Sequence, residues 1–284
     1  MAKWRTGLLD EAQSSFVESR LGQPQLVRDM SWGLVDTTVL HVRAGAGDFV
    51  VKAAGPNNRH LPRELTAFES YTAEFVRDGS VARLVAGHRE VNVLIIEYLE
   101  GELAQGTPSE WDSDIHRQAA EFLRAFHDRH GRVDEAYEVG VTTKALAWLD
   151  RPHRISPAVA HDARRILHAY RPGPVVVVPT HGDWQPRNWL VDCDRLRVID
   201  FGRFDFRPAA SDFCRLATQQ WRDAPSLETA FLEAYGTDPR DQTVWPMDLL
   251  REAISTAAWA YAVGDGEFEA RGHRMLDEAL ALFS

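Results

Sequence analysis

Residues 181–202 constrain this chain more than any other stretch. His181-Gly182-Asp183-Trp184-Gln185-Pro186-Arg187-Asn188 is followed by apolar Trp189-Leu190-Val191 and then by Val198-Ile199-Asp200-Phe201-Gly202. The β-branched run Val175 to Val178 predicts a buried strand ending at Pro179. Trp189 to Val191 and Leu196 to Ile199 predict two further short strands, with Asp192-Cys193-Asp194-Arg195 as the turn between them. A hairpin of that length brings its two ends, Asn188 and Asp200, close together. A carboxylate and an amide carbonyl are hard oxygen ligands that suit Mg²⁺, which keeps waters and takes its other ligands from phosphate. With Asp183 beside them, the three acceptors form a layout that phosphoryl transfer needs, because the protein's work there is to position one hydroxyl and to neutralise charge on peripheral oxygens.

Asp, Asn and Gly are common in ordinary turns, so the weight rests on their combination with the hydrophobic hairpin and with Asp212 further on. The pattern resembles the Brenner-type motif of the aminoglycoside phosphotransferase and choline kinase group, small-molecule kinases that share the protein-kinase-like fold. Both H-G-D-x-x-x-x-N and I-D-[FLW]-G are matched without gaps, and the group's Asp twelve residues after the metal Asp is matched by Asp212. Protein kinases carry Arg where Gly182 stands, which tilts the resemblance toward small-molecule substrates. It implies that Asp183 accepts or orients the proton of a substrate hydroxyl, and that Asn188 and Asp200 hold magnesium. It also implies that His181 braces the metal loop by hydrogen bonding, with Asp212 as structural support. The group's Gly-Asp-Pro before that last Asp is replaced here by Arg207-Pro208-Ala209, on a loop that borders the substrate cleft in the group.

The implied fold is α+β and bilobal, with a small antiparallel-sheet lobe over residues 1–98 for nucleotide and a larger, mostly helical lobe over residues 99–284 for catalysis and substrate. Gln25 to Met30, Thr38 to Arg43 and Phe49 to Ala53 read as its first strands. Lys52 stands where the group's nucleotide lysine pairs the α- and β-phosphates. A helical pattern starts at Arg63, with Leu65, Phe68, Tyr71, Ala73 and Phe75 on its apolar face and Thr72 interrupting it. Glu64 is its inward partner for Lys52, with Glu69 and Glu74 as competitors. Ser31-Trp32-Gly33-Leu34-Val35-Asp36 takes the place of the phosphate-covering loop, with Ser31 and Gly33 as its contacts, although a single glycine makes it a poor glycine loop. Val93 to Ile96 reads as a buried strand running into the hinge, where the Glu97 carbonyl and the Leu99 amide would meet the base. Asp114 to His130 reads as the central helix, and four helices are expected after the metal loop: Phe213 to Trp221, Leu227 to Tyr235, Leu249 to Val263 and His273 to Phe283.

The charge is uneven. The chain carries 32 basic and 42 acidic residues, net −10. Residues 1–98 hold 11 basic and 12 acidic of these, so the acidity belongs to the rest. Such a surface disfavours nucleic acid and favours a cationic small molecule. Glu100, Glu102, Asp205, Asp265, Glu267 and Glu269 are the candidates to meet one. No stretch is apolar enough to span a membrane, and Met1 to Gln13 lacks the apolar core of a secretory leader. Two cysteines, Cys193 and Cys214, read as small fillers near the hairpin rather than a disulfide framework, which predicts a cytoplasmic protein.

These readings converge on a magnesium- and ATP- or GTP-dependent O-phosphotransferase. Its acceptor is expected to be a hydroxyl on a small cationic molecule, an aminoglycoside or a basic peptide antibiotic first, which would make it a resistance enzyme. A metabolite kinase for choline, homoserine or a sugar is the alternative, favoured if aromatic residues such as Trp184 form a cage near Asp183. A non-catalytic nucleotide-binding interaction protein is the third reading. Whether the chain is a monomer or a dimer stays open at this level.

Overall fold

The computed structural model describes residues 7–33, 36–45 and 47–283. Lys3 and Arg5, Leu34 and Val35 of the expected phosphate loop, and Ala46 of the following turn lie outside the described residues.

In chain order the elements begin with α1 (Glu11–Leu21), β1 (Gln25–Asp29), β2 (Thr37–Ala44), β3 (Gly47–Ala54), α2 (His60–Ser70), α3 (Ala73–Arg77), β4 (Leu84–His88), β5 (Val93–Glu97) and β6 (Glu102–Leu103). They continue with α4 (Ser113–His127), β7 (Arg132–Asp134), α5 (Tyr137–Leu149), α6 (Pro157–Ala169), β8 (Val175–Thr180), β9 (Trp189–Asp192), β10 (Arg195–Val198) and β11 (Asp205–Arg207). The chain then runs through α7 (Cys214–Thr218), α8 (Gln220–Asp223), α9 (Pro225–Tyr235), α10 (Trp245–Val263) and α11 (Gly266–Ala281). These form two compact units, Met1–Phe126 with His181–Asp205 and His127–Thr180 with Phe206–Ser284.

In the first unit, five antiparallel strands lie in the order β1-β2-β3-β5-β4. Alternation along β3 decides what each face does. Val51 and Ala53 join Leu40, Val42, Val93, Ile95 and Val17 of α1 in one apolar cluster, where each fully buried Val, Leu or Ile contributes roughly 1.5–3 kcal/mol. Lys52, one residue out of phase, therefore faces the other way, toward α2. The helix α1 is not evident from periodicity, since its apolar residues are few. A capping box fixes it instead: Gln13 N donates to Asp10 Oδ1 (2.8 Å) and Asp10 N to Gln13 Oε1 (3.2 Å). The Gln13 side chain then donates to the Ala54 carbonyl at 3.0 Å, which pins the helix to the sheet.

The helix read as beginning at Arg63 starts earlier, at His60, and ends at Ser70, so Ala73 and Phe75 belong to the separate α3. The break falls at Tyr71 and Thr72, where the apolar pattern fails. The turn joining β9 to β10 places Cys193 and Asp194 at φ +49° and +62°, the primed geometry that matches strand twist in a two-residue hairpin. Cys193 is consequently exposed and is no core filler; Cys214 is buried.

The second unit packs α5, α6, α10 and α11 around Leu149, Ile155, Leu167, Leu250, Ile254, Met275 and Leu276. Its small sheet has the order β11-β8-β7. The expectation that Val175 to Val178 is buried is corrected here: Val177 is fully buried but Val176 is 59% exposed, because one face of this narrow sheet is uncovered. The helix expected from Phe213 to Trp221 is split at Gln219 into α7 and α8. Among the described residues, no helix is long and apolar enough to cross a membrane.

Candidate active site

The site is built within the first unit by three pieces: the Lys52 face of the sheet, the inner face of α2, and the loop and hairpin of residues 181–202. Lys52 Nζ donates to Glu64 Oε1 at 2.7 Å and to Asp200 Oδ1 at 3.1 Å. Burial works against the Lys52 charge, but Asp200 and Glu64 outweigh it and hold the ammonium well above its ordinary value. Burial pushes the Glu64 carboxyl up while Lys52 opposes it. The Lys52 ammonium beside Asp200 holds that carboxyl below the usual range, so it is ionised near neutrality. Glu69, one competitor for Lys52, is paired with Arg89 instead (2.6 Å).

The hairpin delivers the second half. Ile199 N donates to the Asn188 carbonyl at 3.1 Å, and Val198 pairs with Trp189, so the two strand ends meet. Asn188 Nδ2 donates to the Asp183 carbonyl (2.7 Å) and to Asp183 Oδ2 (3.1 Å), which turns its amide oxygen away from Asp183. Gln185 Nε2 donates to Asp183 Oδ1 (2.6 Å) and Arg187 Nη2 to Oδ2 (2.5 Å). The two side chains most tightly engaged with Asp183 were not singled out by the sequence reading. The available signal was their polar character at the second and fourth positions after Asp183, inside a motif whose other variable positions are apolar or Pro.

Two backbone conformations shape the loops. Gly182 has φ +79°, a region in which a side chain is strained. Asp200 itself sits at φ +64°, ψ +67°, a left-handed position that Asp tolerates better than most residues. His181 Nε2 lies 3.0 Å from the carbonyl of Ile199, the residue before Asp200. Phe201 is fully buried against Phe68 (5.7 Å), Phe126 (5.6 Å) and His181 (4.9 Å between ring centroids). His60 Nδ1 donates to the Gly202 carbonyl at 2.9 Å, tying the loop to the start of α2.

The remaining expected residues are more dispersed. Ser31 Oγ accepts from Val39 N (2.9 Å), and Val39 is the register partner of Lys52, so the turn after β1 folds back beside the lysine's strand. A Cβ on Gly33 would meet nothing within 4 Å, so sterics do not demand glycine there. Glu97 ends β5 with its side chain paired to Arg83, and Leu99 follows half-buried. Neither is among the hydrogen-bond partners of Lys52. Asp212 lies in the second unit, where His127 bridges Asp212 Oδ2 (3.1 Å) and the Tyr235 hydroxyl (2.8 Å).

Magnesium would be held by the Asn188 amide oxygen and the Asp200 carboxylate. The donors fit the ion: both are hard oxygens, Asp200 is ionised with its side chain 49% exposed, and the Asn188 amide nitrogen is already committed to Asp183. Among the described residues, no cluster of three or more His, Cys, Asp or Glu side chains is placed to hold a metal. A site of one carboxylate and one amide is of the kind that relies on phosphate and water for the other positions.

Residues 28–245 match the APH model, the phosphotransferase enzyme family. The chain belongs to that family. As a member it is a phosphotransferase enzyme. A comparison with curated proteins finds no match. Among solved structures, choline kinase LicA from Streptococcus pneumoniae is similar at TM-score 0.68 and 14% identity, covering 96% of this chain and 99% of that one. A thermostable mutant of aminoglycoside phosphotransferase APH(4)-Ia, in ternary complex with AMP-PNP and hygromycin B, gives the same four values. Macrolide 2'-phosphotransferase MphH from Brachybacterium faecium aligns at TM-score 0.63 and 19% identity, covering 92% of this chain and 97% of that one. These likenesses show the fold, which is the α+β protein-kinase-like one.

Proposed function

We propose that this phosphotransferase moves the γ-phosphoryl group of ATP or GTP, as its magnesium complex, to a hydroxyl of a small cationic molecule, with an aminoglycoside or a basic peptide antibiotic as the first candidates. The observation that carries the reading is Lys52 bonded at once to Glu64 and to Asp200. Glu64 holds the ammonium where it can pair α- and β-phosphates. Asp183, buried and held by hydrogen bonds from three side chains, takes the proton of the attacking hydroxyl. Asn188 and Asp200 hold the metal, which when bound supplies neutralisation of the charge on the transferring phosphoryl group. Ser31 and Gly33 line the phosphates, the Glu97 carbonyl and Leu99 amide meet the base, and His181 and Asp212 support the loops. In this reading residues 1–98 serve the nucleotide and residues 99–284 the chemistry and acceptor.

Two findings bear on the acceptor. Trp184 is fully buried and stacked on Phe122 (5.6 Å, 14°), so it is core and offers no face to a quaternary ammonium. That removes the aromatic residue on which the choline alternative leaned. Of the acidic candidates, Asp205 pairs with Arg63, Glu269 with Arg154, and Asp265 caps α11. Glu100, Glu102 and Glu267 remain exposed and are the better candidates for a cationic acceptor.

The test is a coupled nucleotide-turnover assay with Mg-ATP and Mg-GTP against aminoglycosides, basic peptide antibiotics, macrolides, choline and homoserine. Stimulation by a cationic antibiotic supports the reading; stimulation by a metabolite alone overturns the acceptor assignment.

A further inference from the structure

Asp183 holds one more donor, and a charged one, than its two carboxylate oxygens need. Gln185 and Asn188 already give each carboxylate oxygen a neutral donor, yet Arg187 adds a guanidinium to Oδ2 at 2.5 Å. Arg187 is thus a charged donor beyond the two that already serve the carboxylate oxygens. The surroundings show where that cation could go. The Asp183 side chain is 3% exposed and that of Arg187 31%, so the pair has a buried acid and an outward-reaching base. The guanidinium also lies over the Trp32 ring, 5.8 Å from its centroid. Trp32 stands in the turn after β1 whose Ser31 closes onto Val39, the register partner of Lys52. Arg187 therefore spans from the carboxylate to the turn proposed to cover the phosphates.

We propose that Arg187 is a catalytic cation that changes partner: it is paired with Asp183 in the free protein and turns to the γ-phosphoryl group once nucleotide is bound. The inference rests on the proposed function. Asn188 is less suited to leave, because the Asp183 backbone carbonyl also holds its amide at 2.7 Å. Lys52 is less suited to serve the γ-phosphate, because Glu64 and Asp200 already share its ammonium. A guanidinium presents several donors in a planar fork, which suits it to a phosphoryl group spreading charge over its oxygens. In the transfer itself the hydroxyl oxygen forms its bond to γ-phosphorus as the bond from γ-phosphorus to the β,γ-bridging oxygen breaks. The nucleoside diphosphate leaves with that electron pair, and the hydroxyl proton passes to the Asp183 oxygen that Arg187 has vacated.

The experiment compares equilibrium binding of Mg-ADP and Mg-AMP-PNP to the full-length protein and to Arg187→Met and Arg187→Lys, alongside kcat. Arg187→Met is expected to lose about tenfold or more in affinity for Mg-AMP-PNP while Mg-ADP stays within about twofold, as for one charge-assisted contact to the terminal phosphate. Its kcat is expected to fall by about 100-fold, with Arg187→Lys intermediate on both measures. An ordinary structural ion pair would weaken both nucleotides alike or neither, and an unchanged ratio in the two variants overturns the inference. If Arg187→Met does not fold, the ratio in Arg187→Lys decides alone. Failure of the underlying reading shows separately, as a wild-type protein that binds neither nucleotide.

Discussion

Glu64 Oε1 lies 2.7 Å from Lys52 Nζ, with the glutamate side chain 2% exposed and the lysine 10%. A pair this buried persists only when each charge keeps its partner, and here Asp200 adds a second carboxylate to the lysine. Glu64 thus sets the direction in which the ammonium points.

Glu64→Gln keeps the shape and a hydrogen-bond acceptor but removes the charge. It is expected to lower kcat/KM for the nucleotide by about 10- to 100-fold while costing about 1–3 kcal/mol of stability, since Asp200 still accepts from Lys52. Steady-state kinetics with a denaturant melt would check this. A variant with wild-type nucleotide kinetics would show that Glu64 is a packing residue only.

Asp183 and Asp200 should separate by what they lose. Asp183→Ala removes the proposed proton acceptor and is expected to reduce turnover by at least about 10³-fold while Mg-nucleotide still binds. Asp200→Ala removes a proposed metal ligand, so its nucleotide affinity should no longer differ between magnesium and chelator. Titration calorimetry in both conditions tells them apart; metal-dependent affinity in Asp200→Ala would take that residue out of the ligand set.

The legibility of this chain follows where its chemistry is local. The hairpin and its acceptors could be read because Trp189-Leu190-Val191 and Leu196 to Val198 alternate with turn residues, and that register alone carries Asn188 to Asp200. Lys52 could be read from the resemblance, because it closes the short apolar run Phe49-Val50-Val51 just ahead of the helical pattern that carries Glu64. The helix α1 could not: it is held by a capping box and by Gln13 reaching two distant carbonyls, which leave no periodic trace. Arg187 showed only as a polar residue within the motif, with nothing to tell which partner it meets. Its partner is four residues away, yet a loop has no fixed period from which to infer that two side chains meet.

Gly202 is a close approach within the proposed metal loop. A Cβ there would meet Asp200 Oδ1 at 3.2 Å and His60 Cβ at 3.4 Å, tight enough that the carboxylate must shift by a few tenths of an ångström. Gly202→Ala is therefore expected to raise the magnesium requirement for turnover severalfold while Mg-free nucleotide affinity changes little. A metal titration of initial rates would show it, and an unaltered requirement would mean the carboxylate has room to move.

Asp248 gives a pH dependence separable from catalysis. It lies on α10 with its Oδ1 3.3 Å from Arg251 Nη1, facing Glu138 and Tyr137 from α5, Cys214 from α7, and Arg251 and Glu252 from its own helix. Burial pushes its carboxyl up to about 7, with Glu138 and Glu252 adding to the rise and Arg251 opposing it. In the unfolded chain the same group ionises near about pH 3.9. Between those values the folded protein binds the extra proton, so this contribution to stability is full below about pH 4 and is lost as pH rises toward 7, at up to about 1.4 kcal/mol per pH unit. Asp248→Asn removes the titration and keeps a hydrogen-bonding group beside Arg251. Melting temperatures measured from pH 4 to pH 8 should fall for the wild type relative to the variant as pH rises, with the variant the more stable of the two at pH 8. Parallel curves would show that Arg251 holds the carboxylate charged throughout, and that the buried cluster of Glu138, Arg251 and Asp248 tolerates its charges at every pH tested.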